Sequence, residues 1–292
     1  VFGLCVVVAA LDGFDTQCIA YTGPAIAKAF GMTSGHMTAI FISGTLGMAV
    51  GAILLGSIGD RVGRRIAILA SLALFGAFSL AIAFATTPIQ IIALRFLTGL
   101  GMGGATPALL ALAAEYSPSR NRGAVLTGVL LGLPLGAVLG GLLASGWMSV
   151  IGWEGIYIVG GALPLAMIPL YAFLLPESPQ LLVARGRPGD HERSRAILER
   201  LTGRALPKAA FVLPEKAEAG SVAALLAPAY RLSTIAVWAT YLFNWIAWFM
   251  LLLWLPTVLA AAGLDAGKAS LGTVTVNTAF IICAIPLSLV LP

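Results

Sequence analysis

Apolar residues fill most of the chain in eight long runs, and polar, glycine and charged residues separate each run from the next. A helix needs about 20 apolar residues to cross the hydrocarbon core of a bilayer. The pattern therefore predicts spanning helices at 2–29, 37–58, 66–86, 89–113, 124–149, 154–175, 232–260 and 268–291. A chain with this pattern is expected to be an all-helical integral membrane protein.

The composition agrees with lipid as the solvent. Charged residues make up 10% of the 292 residues and hydrophobic residues 59%, with a mean hydropathy of +0.98. Soluble domains carry about 25% charged residues, so this chain could not coat a water-facing surface. The three cysteines, Cys5, Cys18 and Cys283, lie far apart and predict neither a disulfide nor a metal site.

Basic residues are concentrated on one side of the predicted bilayer. Most of the 17 lysines and arginines fall in the gaps after the second, fourth and sixth helices. Basic loops stay in the cytoplasm, so these gaps and the N-terminus are expected to face inward, in a cell inner (plasma) membrane. Topology thus accounts for the net charge of +5, and no nucleic-acid partner is expected.

The spacing of the helices predicts three regions. Residues 1–175 form an N-terminal six-helix bundle, and 176–228 form a polar cytoplasmic linker with short helices near 193–201. Residues 229–292 supply the first two helices of a second bundle. This order matches the first eight of twelve helices in a six-plus-six design. Because the chain starts at Val1 and ends in an apolar run, we expect it to be a fragment that lacks helices 9–12.

Glycines in the predicted helices favour close packing over nucleotide binding. Gly99, Gly101 and Gly104 fit G-x-G-x-x-G, but a dinucleotide site requires a preceding strand in a soluble unit. No Gly-Lys-Ser/Thr phosphate loop occurs either. We therefore expect no nucleotide partner and no cofactor.

Three ionisable residues lie deep in the apolar segments, namely Asp12, Asp15 and Arg95. Such residues are costly in hydrocarbon and mark functional sites by default, although a structural ion pair is the alternative. Asp12 and Asp15 share a helix face and should not both ionise easily, so the pair is a candidate proton carrier. Arg95 keeps its charge and is expected to pair with an aspartate or with a substrate carboxylate.

The seventh predicted helix carries a stripe of aromatic and amide side chains, Tyr241, Asn244, Trp245 and Trp248. Their spacing places them on one helix face. The stripe either lines a cavity or packs against neighbouring helices. Tyr241, Asn244 and Trp248, with Asn277 in the eighth helix, are the candidate substrate-binding residues beside Arg95.

Residues 56–65 read Gly-Ser-Ile-Gly-Asp-Arg-Val-Gly-Arg-Arg, which resembles the loop 2–3 signature of the major facilitator superfamily. In that family the acidic and basic residues of this loop latch the two halves of the transporter in one state. The resemblance implies the same gating role here for Gly56, Asp60, Arg61, Gly63, Arg64 and Arg65. The partner of this latch in the second bundle would lie beyond this chain.

Two further segments resemble the aromatic acid:H+ symporter family within that superfamily. Helix 1 carries Asp-Gly-Phe-Asp at 12–15, and helix 4 ends in Ala-Glu-Tyr-Ser-Pro at 114–118. The resemblance implies proton-coupled uptake of benzoate-like acids, with Asp12 and Asp15 in coupling and Arg95 in anion binding. It also adds Glu115 and Arg122 to the gating residues.

The predicted function is thus a symporter that imports an aromatic carboxylate together with protons. A sugar or other metabolite symporter is a second possibility, since Pro-Glu-Ser-Pro at 176–179 is shared with sugar porters. An efflux antiporter, which the glycines of the fifth helix with Pro134 also resemble, is a third, and a receptor for aromatic acids on a transporter scaffold is an alternative of another class. An enzyme is not expected, because no nucleophile with a base and no metal cluster can be assembled from these residues.

Overall fold

The structure is a computed structural model that describes residues 1–185, 187–203 and 225–290. The side chains of Asp60, Ser119, Leu201, Thr202, Ala266 and 287–290 lie outside that description. The helices are α1 Phe2–Phe30, α2 Ser34–Val62, α3 Arg64–Ile82, α4 Pro88–Glu115, α5 Arg122–Leu130, α6 Gly132–Leu174, α7 Pro179–Arg185, α8 Asp190–Thr202, α9 Arg231–Ala261 and α10 Ala266–Val290. A 3₁₀ turn at Ser119–Asn121 precedes α5, and no strand occurs in the described ranges.

The chain forms two compact units. The first contains Val1–Ser178 and Leu255–Pro292, and the second contains Pro179–Trp254. Each unit is described below by itself. The predicted division into a bundle, a linker and a second bundle stays a prediction.

Seven helical stretches are long and apolar enough to cross a membrane, within the part of the chain that the structure describes. One of them, Arg122–Leu174, has 53 residues and would extend about 80 Å if straight, far more than one bilayer core. The fifth and sixth predicted helices both fall within this stretch. The all-helical membrane fold predicted from the sequence is confirmed.

The long stretch is a helical hairpin that reverses at Gly152. Gly152 has φ 69° and ψ 179°, a backbone conformation that favours glycine and ends the first arm. A Cβ atom at Gly140 would stand 3.0 Å from the ring of Phe14, and so would a Cβ atom at Gly160. A straight helix would hold those two glycines about 30 Å apart, so the arms must fold back around one ring.

Local capping chemistry sets several helix boundaries. Thr87 accepts a hydrogen bond from the Gln90 backbone N–H, and the Gln90 side chain accepts one from Thr87, with Pro88 at the first helical position. Gly31 ends α1 in the left-handed conformation. Pro134 has no N–H to donate to the preceding turn, which agrees with the break between α5 and α6 at Leu131.

In the first unit, α2 packs along α4, α3 packs on α4 and α6, and α1 packs mainly on α6. The α2–α4 contact is a backbone contact, because a methyl group at Gly99 would stand 2.2 Å from the Gly44 carbonyl oxygen. The buried core between α1, α3, α4 and α6 includes Leu72, Phe75 and Met102. α10 packs against α6 and α1.

The second unit contains α7, α8 and most of α9. The Ser194 hydroxyl of α8 donates to the Pro179 carbonyl oxygen of α7 at 3.3 Å. α8 confirms the short helix predicted near 193–201. Three basic residues of the predicted linker, Arg204, Lys208 and Lys216, lie outside the described residues.

Candidate functional site

A buried ion pair joins α1 to α4 inside the first unit. Arg95 Nη1 lies 3.2 Å from Asp15 Oδ2, and the two side chains are 6% and 0% exposed. The same nitrogen lies 3.4 Å from the Asp15 backbone carbonyl oxygen. The ion pair that the sequence left as one alternative for Arg95 is therefore present, between Arg95 and Asp15.

The second oxygen of Asp15 is held from a third helix. The Ser79 hydroxyl of α3 donates a hydrogen bond to Asp15 Oδ1. Both carboxylate oxygens thus have a donor, one charged and one neutral. A buried carboxylate with a cation and a hydroxyl beside it can stay ionised in a medium where a lone charge could not.

Arg95 uses only part of its guanidinium group in this contact. Its Nε is buried and has no acceptor among the described residues. The Nε and Nη2 edge faces Gly44 of α2, where a methyl group would stand 3.7 Å and 3.8 Å from the two nitrogens. This edge carries the paired donors with which arginine binds a carboxylate in a bidentate manner.

Asp12 lies one helical turn from Asp15 and has a different environment. Thr106 Oγ1 of α4 donates to Asp12 Oδ2 at 2.9 Å. Asp12 Oδ1 is buried, and no described residue donates to it. The structure therefore brings Asp12, Asp15 and Arg95 to one buried region of α1 and α4, but it pairs only Asp15 with the arginine.

A second polar cluster lies at the C-terminal end of α4, away from Arg95. Arg64 Nε lies 3.0 Å from Glu115 Oε1, and the Ser178 hydroxyl donates to Glu115 Oε2. Glu177 Oε1 accepts from the backbone N–H groups of Arg64 at 3.1 Å and Arg65 at 3.4 Å. We call Arg64, Glu115, Glu177 and Ser178 the Glu177 cluster. It joins the start of α3, the end of α4 and the end of α6.

Glu177 places its carboxylate at the N-terminus of α3, where backbone N–H groups lack helical partners and negative charge is favoured. Gly63 makes room for this carboxylate, because its φ of 133° disfavours other residues and a Cβ there would stand 2.4 Å from Glu177 Oε2. The Tyr116 hydroxyl donates to the Glu177 carbonyl oxygen at 2.8 Å. Burial raises the pKa of Tyr116, and the carboxylates of Glu115 and Glu177 add to the effect, so this phenol stays a neutral donor.

The other predicted gating residues surround this cluster. Arg65 Nη2 donates to the Ala172 carbonyl oxygen of α6. Gly56 and Arg61 lie in the last turns of α2, Gly63 ends that helix, and Arg122 is exposed at the start of α5. Asp60 belongs to α2, and its side chain lies outside the described residues. The gating role of all these residues stays a prediction.

The predicted aromatic stripe lies on α9 in the second unit. Tyr241 is 63% exposed and Asn244 is also exposed, whereas Trp248 is half-buried. Asn277 belongs to α10 in the first unit, is 2% exposed, and donates from Nδ2 to the Thr273 carbonyl oxygen at 2.9 Å. The substrate-binding role of Tyr241, Asn244, Trp248 and Asn277 stays a prediction.

Four residues of the buried aspartate–arginine site and the Glu177 cluster escaped the sequence analysis as site residues, namely Ser79, Thr106, Glu177 and Ser178. Hydroxyl side chains are common in membrane helices and usually donate to their own backbone, as Thr98 does to Leu94. Nothing local distinguishes Ser79 or Thr106 from Thr98. Glu177 was visible within Pro-Glu-Ser-Pro, but its contact with α3 joins residues that are distant in sequence.

Curated relatives of similar sequence are transporters of aromatic acids. The chain is 35% identical over 269 residues to a gallate transporter of Pseudomonas putida, with 91% of this chain and 60% of the relative covered. It is 34% identical to the 4-hydroxybenzoate transporter PcaK of Pseudomonas aeruginosa, with the same coverage. A 3-(3-hydroxy-phenyl)propionate transporter of Escherichia coli is 33% identical, with 92% and 59% covered. The chain thus spans about 60% of the length of the relatives it matches.

Solved structures share the fold at low sequence identity. The xylose transporter XylE from E. coli, in a partially occluded inward-open conformation, gives a TM-score of 0.70 at 18% identity, with 97% of this chain and 70% of that chain covered. A bacterial homologue of the human lysosomal transporter Spinster gives 0.66 at 15% identity, with 92% and 57% covered. At these identities the likeness concerns the fold alone.

The family comparison agrees with the sequence motif, the helical fold and the relatives. The predicted resemblance to aromatic acid transporters is confirmed, and the relatives are transporters rather than enzymes, as predicted. The match to the family covers almost the whole chain. Residues 5–291 match the Major Facilitator Superfamily, and the chain therefore belongs to that superfamily of multi-pass membrane transporters.

Proposed function

We propose that this chain is part of a proton-coupled symporter that imports aromatic carboxylates of the hydroxybenzoate type across the inner (plasma) membrane. The observation that carries the proposal is the buried Asp15–Arg95 pair, whose arginine keeps a donor without an acceptor among the described residues. The names of the relatives supply the substrate class.

Substrate binding and proton uptake are coupled through Arg95 in this proposal. A substrate carboxylate approaches the Nε and Nη2 edge and replaces Asp15 as the counter-ion of the arginine. Asp15 then loses its cation inside a dry bundle and takes up a proton, because an unpaired buried carboxylate is costly. The substrate enters with one proton, and the charge of the site is unchanged.

The membrane potential gives a reason for this coupling. Import of one anion against an inside-negative potential costs about 2.3 kcal/mol per 100 mV. A proton that travels with the anion removes this cost. No cofactor and no nucleotide take part in the proposed cycle.

The Glu177 cluster has the gating role in the proposal. Arg64 at the start of α3 and Glu115 at the end of α4 form an ion pair. In the proposal this pair holds the two neighbouring helix ends together until the gate opens. With the N-terminus in the cytoplasm, this cluster lies on the inner side of the membrane.

Uptake by proteoliposomes that contain the full-length gene product tests the proposal. Radiolabelled 4-hydroxybenzoate should accumulate when the outside is made acidic, and a protonophore should abolish this accumulation. Labelled glucose, tested in parallel, should not accumulate. Accumulation of glucose alone would indicate the sugar symporter, and binding of 4-hydroxybenzoate without accumulation would indicate the receptor.

A further inference from the structure

The charges of the buried site leave one carboxyl group without a counter-ion. Among the described residues, Arg95 is the only cation that is buried, and it contacts Asp15. Two ionised aspartates would leave this region with a net negative charge inside the bilayer. One arginine therefore balances one carboxylate, and the second carboxyl group is favoured in its neutral form.

The hydrogen bonds identify which carboxyl group is neutral. Asp15 has a cation and a hydroxyl as donors, whereas Asp12 has only the Thr106 hydroxyl, on Oδ2. A single neutral donor does not offset the cost of burying a carboxylate. Asp12 Oδ1 has no hydrogen-bond partner of either kind among the described residues, so a proton on Asp12, with Oδ2 accepting from Thr106, would lie on Oδ1.

Within the described residues, the other buried titratable groups near α1 have their own partners or are neutral. On α1 itself they are Asp15, Tyr21 and the thiols of Cys5 and Cys18, and the Tyr21 hydroxyl donates to the Ala137 carbonyl oxygen at 2.6 Å. On the helices packed against α1, the buried titratable side chains are Arg95 on α4 and Tyr157 and Tyr171 on α6. The Tyr171 hydroxyl donates to the Leu4 carbonyl oxygen at 3.2 Å, and the Tyr157 hydroxyl lies 3.5 Å from Thr22 Oγ1.

We infer that the two aspartates have different tasks, with Asp12 as a standing proton donor, Thr106 as its positioning residue, and Asp15 as the ionised partner of Arg95. This inference rests on the proposed function and deepens it. When a substrate carboxylate takes Arg95, the O–H bond at Asp12 Oδ1 breaks and a new O–H bond forms on Asp15. Asp12 then takes a proton from the outer aqueous side, and Asp15 releases its proton to the inner side when the substrate leaves and Arg95 pairs with Asp15 again, so each cycle moves one proton with one anion.

Infrared spectroscopy of the purified, substrate-free protein tests this division, because a protonated carboxyl group has a C=O band that a carboxylate lacks. The band should vanish in Asp12→Asn. It should persist in the double variant Asp15→Asn/Arg95→Gln, which removes the acid and its cation together and keeps the site neutral. A band that survives Asp12→Asn, or one that the double variant abolishes, would overturn the inference.

Thr106 allows a finer test. Thr106→Val removes the hydroxyl from the Asp12 carbonyl oxygen, so the C=O band should move to higher frequency, and Thr106→Ser should restore it. Thr98→Val is the matched control, since Thr98 is buried on the same helix and donates to its own backbone at Leu94. An unmoved band in Thr106→Val would contradict the positioning role even if Asp12→Asn failed to fold.

The two proposals can fail separately. The infrared bands require no transport, so they report on Asp12 even if no acid accumulates in proteoliposomes. Accumulation of 4-hydroxybenzoate with an acid band that does not depend on Asp12 would keep the transporter and reject the division of tasks.

Discussion

Arg95 and Gly44 face each other across the contact between α4 and α2, and the glycine lies beside the Nε and Nη2 edge of the buried guanidinium group. A Cβ at position 44 would stand 3.7 Å from Nε and 3.8 Å from Nη2, at ordinary contact distance. Asp15 contacts the arginine through Nη1 instead. In the proposed function, this edge is where a substrate carboxylate binds, because Nε has no acceptor among the described residues.

The substitution Gly44→Ala tests this edge. The new methyl group meets no described atom closer than 3.7 Å, so the protein should fold, but it should obstruct the approach of a carboxylate. Loss of a charge-assisted hydrogen bond predicts about a tenfold weaker affinity for 4-hydroxybenzoate, measured by calorimetry. Gly35→Ala on the same helix, with its nearest contact at Thr33, is the matched control. An unchanged affinity would place the substrate elsewhere.

The substitution Arg95→Lys keeps the positive charge and removes the planar fork. Lysine can still pair with Asp15 as a point charge, but it cannot hold two acceptors in the fixed geometry of a guanidinium group. We expect the affinity for the acid to fall about tenfold or more, with the protein still folded. Equal affinities in binding and uptake assays would show that the fork has no role in recognition.

Ser79 and Ser71 offer a matched pair on α3. Both are fully buried, but Ser79 donates to Asp15 whereas Ser71 Oγ has no partner among the described residues. Ser79→Ala should lower the free energy of unfolding by about 1.5–3 kcal/mol, since the bond is to a charged group. Ser71→Ala should be neutral or stabilising. Thermal unfolding in detergent compares the two, and equal effects would contradict the role given to Ser79.

Glu177 should matter for stability through the backbone of α3. Removal of its carboxylate in Glu177→Ala leaves the first N–H groups of this helix without an acceptor, at a cost of about 1–2 kcal/mol in the free energy of unfolding. Glu177→Gln retains an oxygen and should lose less. The control is Glu192→Ala, whose side chain is 79% exposed in an ion pair with Arg195 and should change little. A destabilisation no larger than that of the control would argue against this cap.

The sequence alone was sufficient to predict the fold and the three charged residues of the buried site. The cost of charge in hydrocarbon identified Asp12, Asp15 and Arg95 before any contact was known, because that cost depends only on residue type and on the apolar run around it. Which aspartate meets Arg95 depends on how α1 and α4 face each other. Periodicity does not contain that information, and it also does not distinguish Ser79 and Thr106 from hydroxyls that bond to their own helix.

The substrate-binding prediction had a weaker physical basis. Asn277 lies buried with its amide donating to Thr273, and a packed amide and a cavity-lining amide give the same sequence pattern. For Tyr241 and Asn244, exposure on α9 is compatible with contact to lipid, to protein or to a cavity. These residues stay predictions.

The reversal at Gly152 ties three distant positions into one steric unit. The ring of Phe14 lies against Gly140 on one arm of α6 and against Gly160 on the other. A larger residue on either arm fits only if the ring becomes smaller. Homologous proteins should therefore exchange residues at these three sites in a correlated manner, and a co-variation signal among them would record the hairpin in the family's evolutionary history.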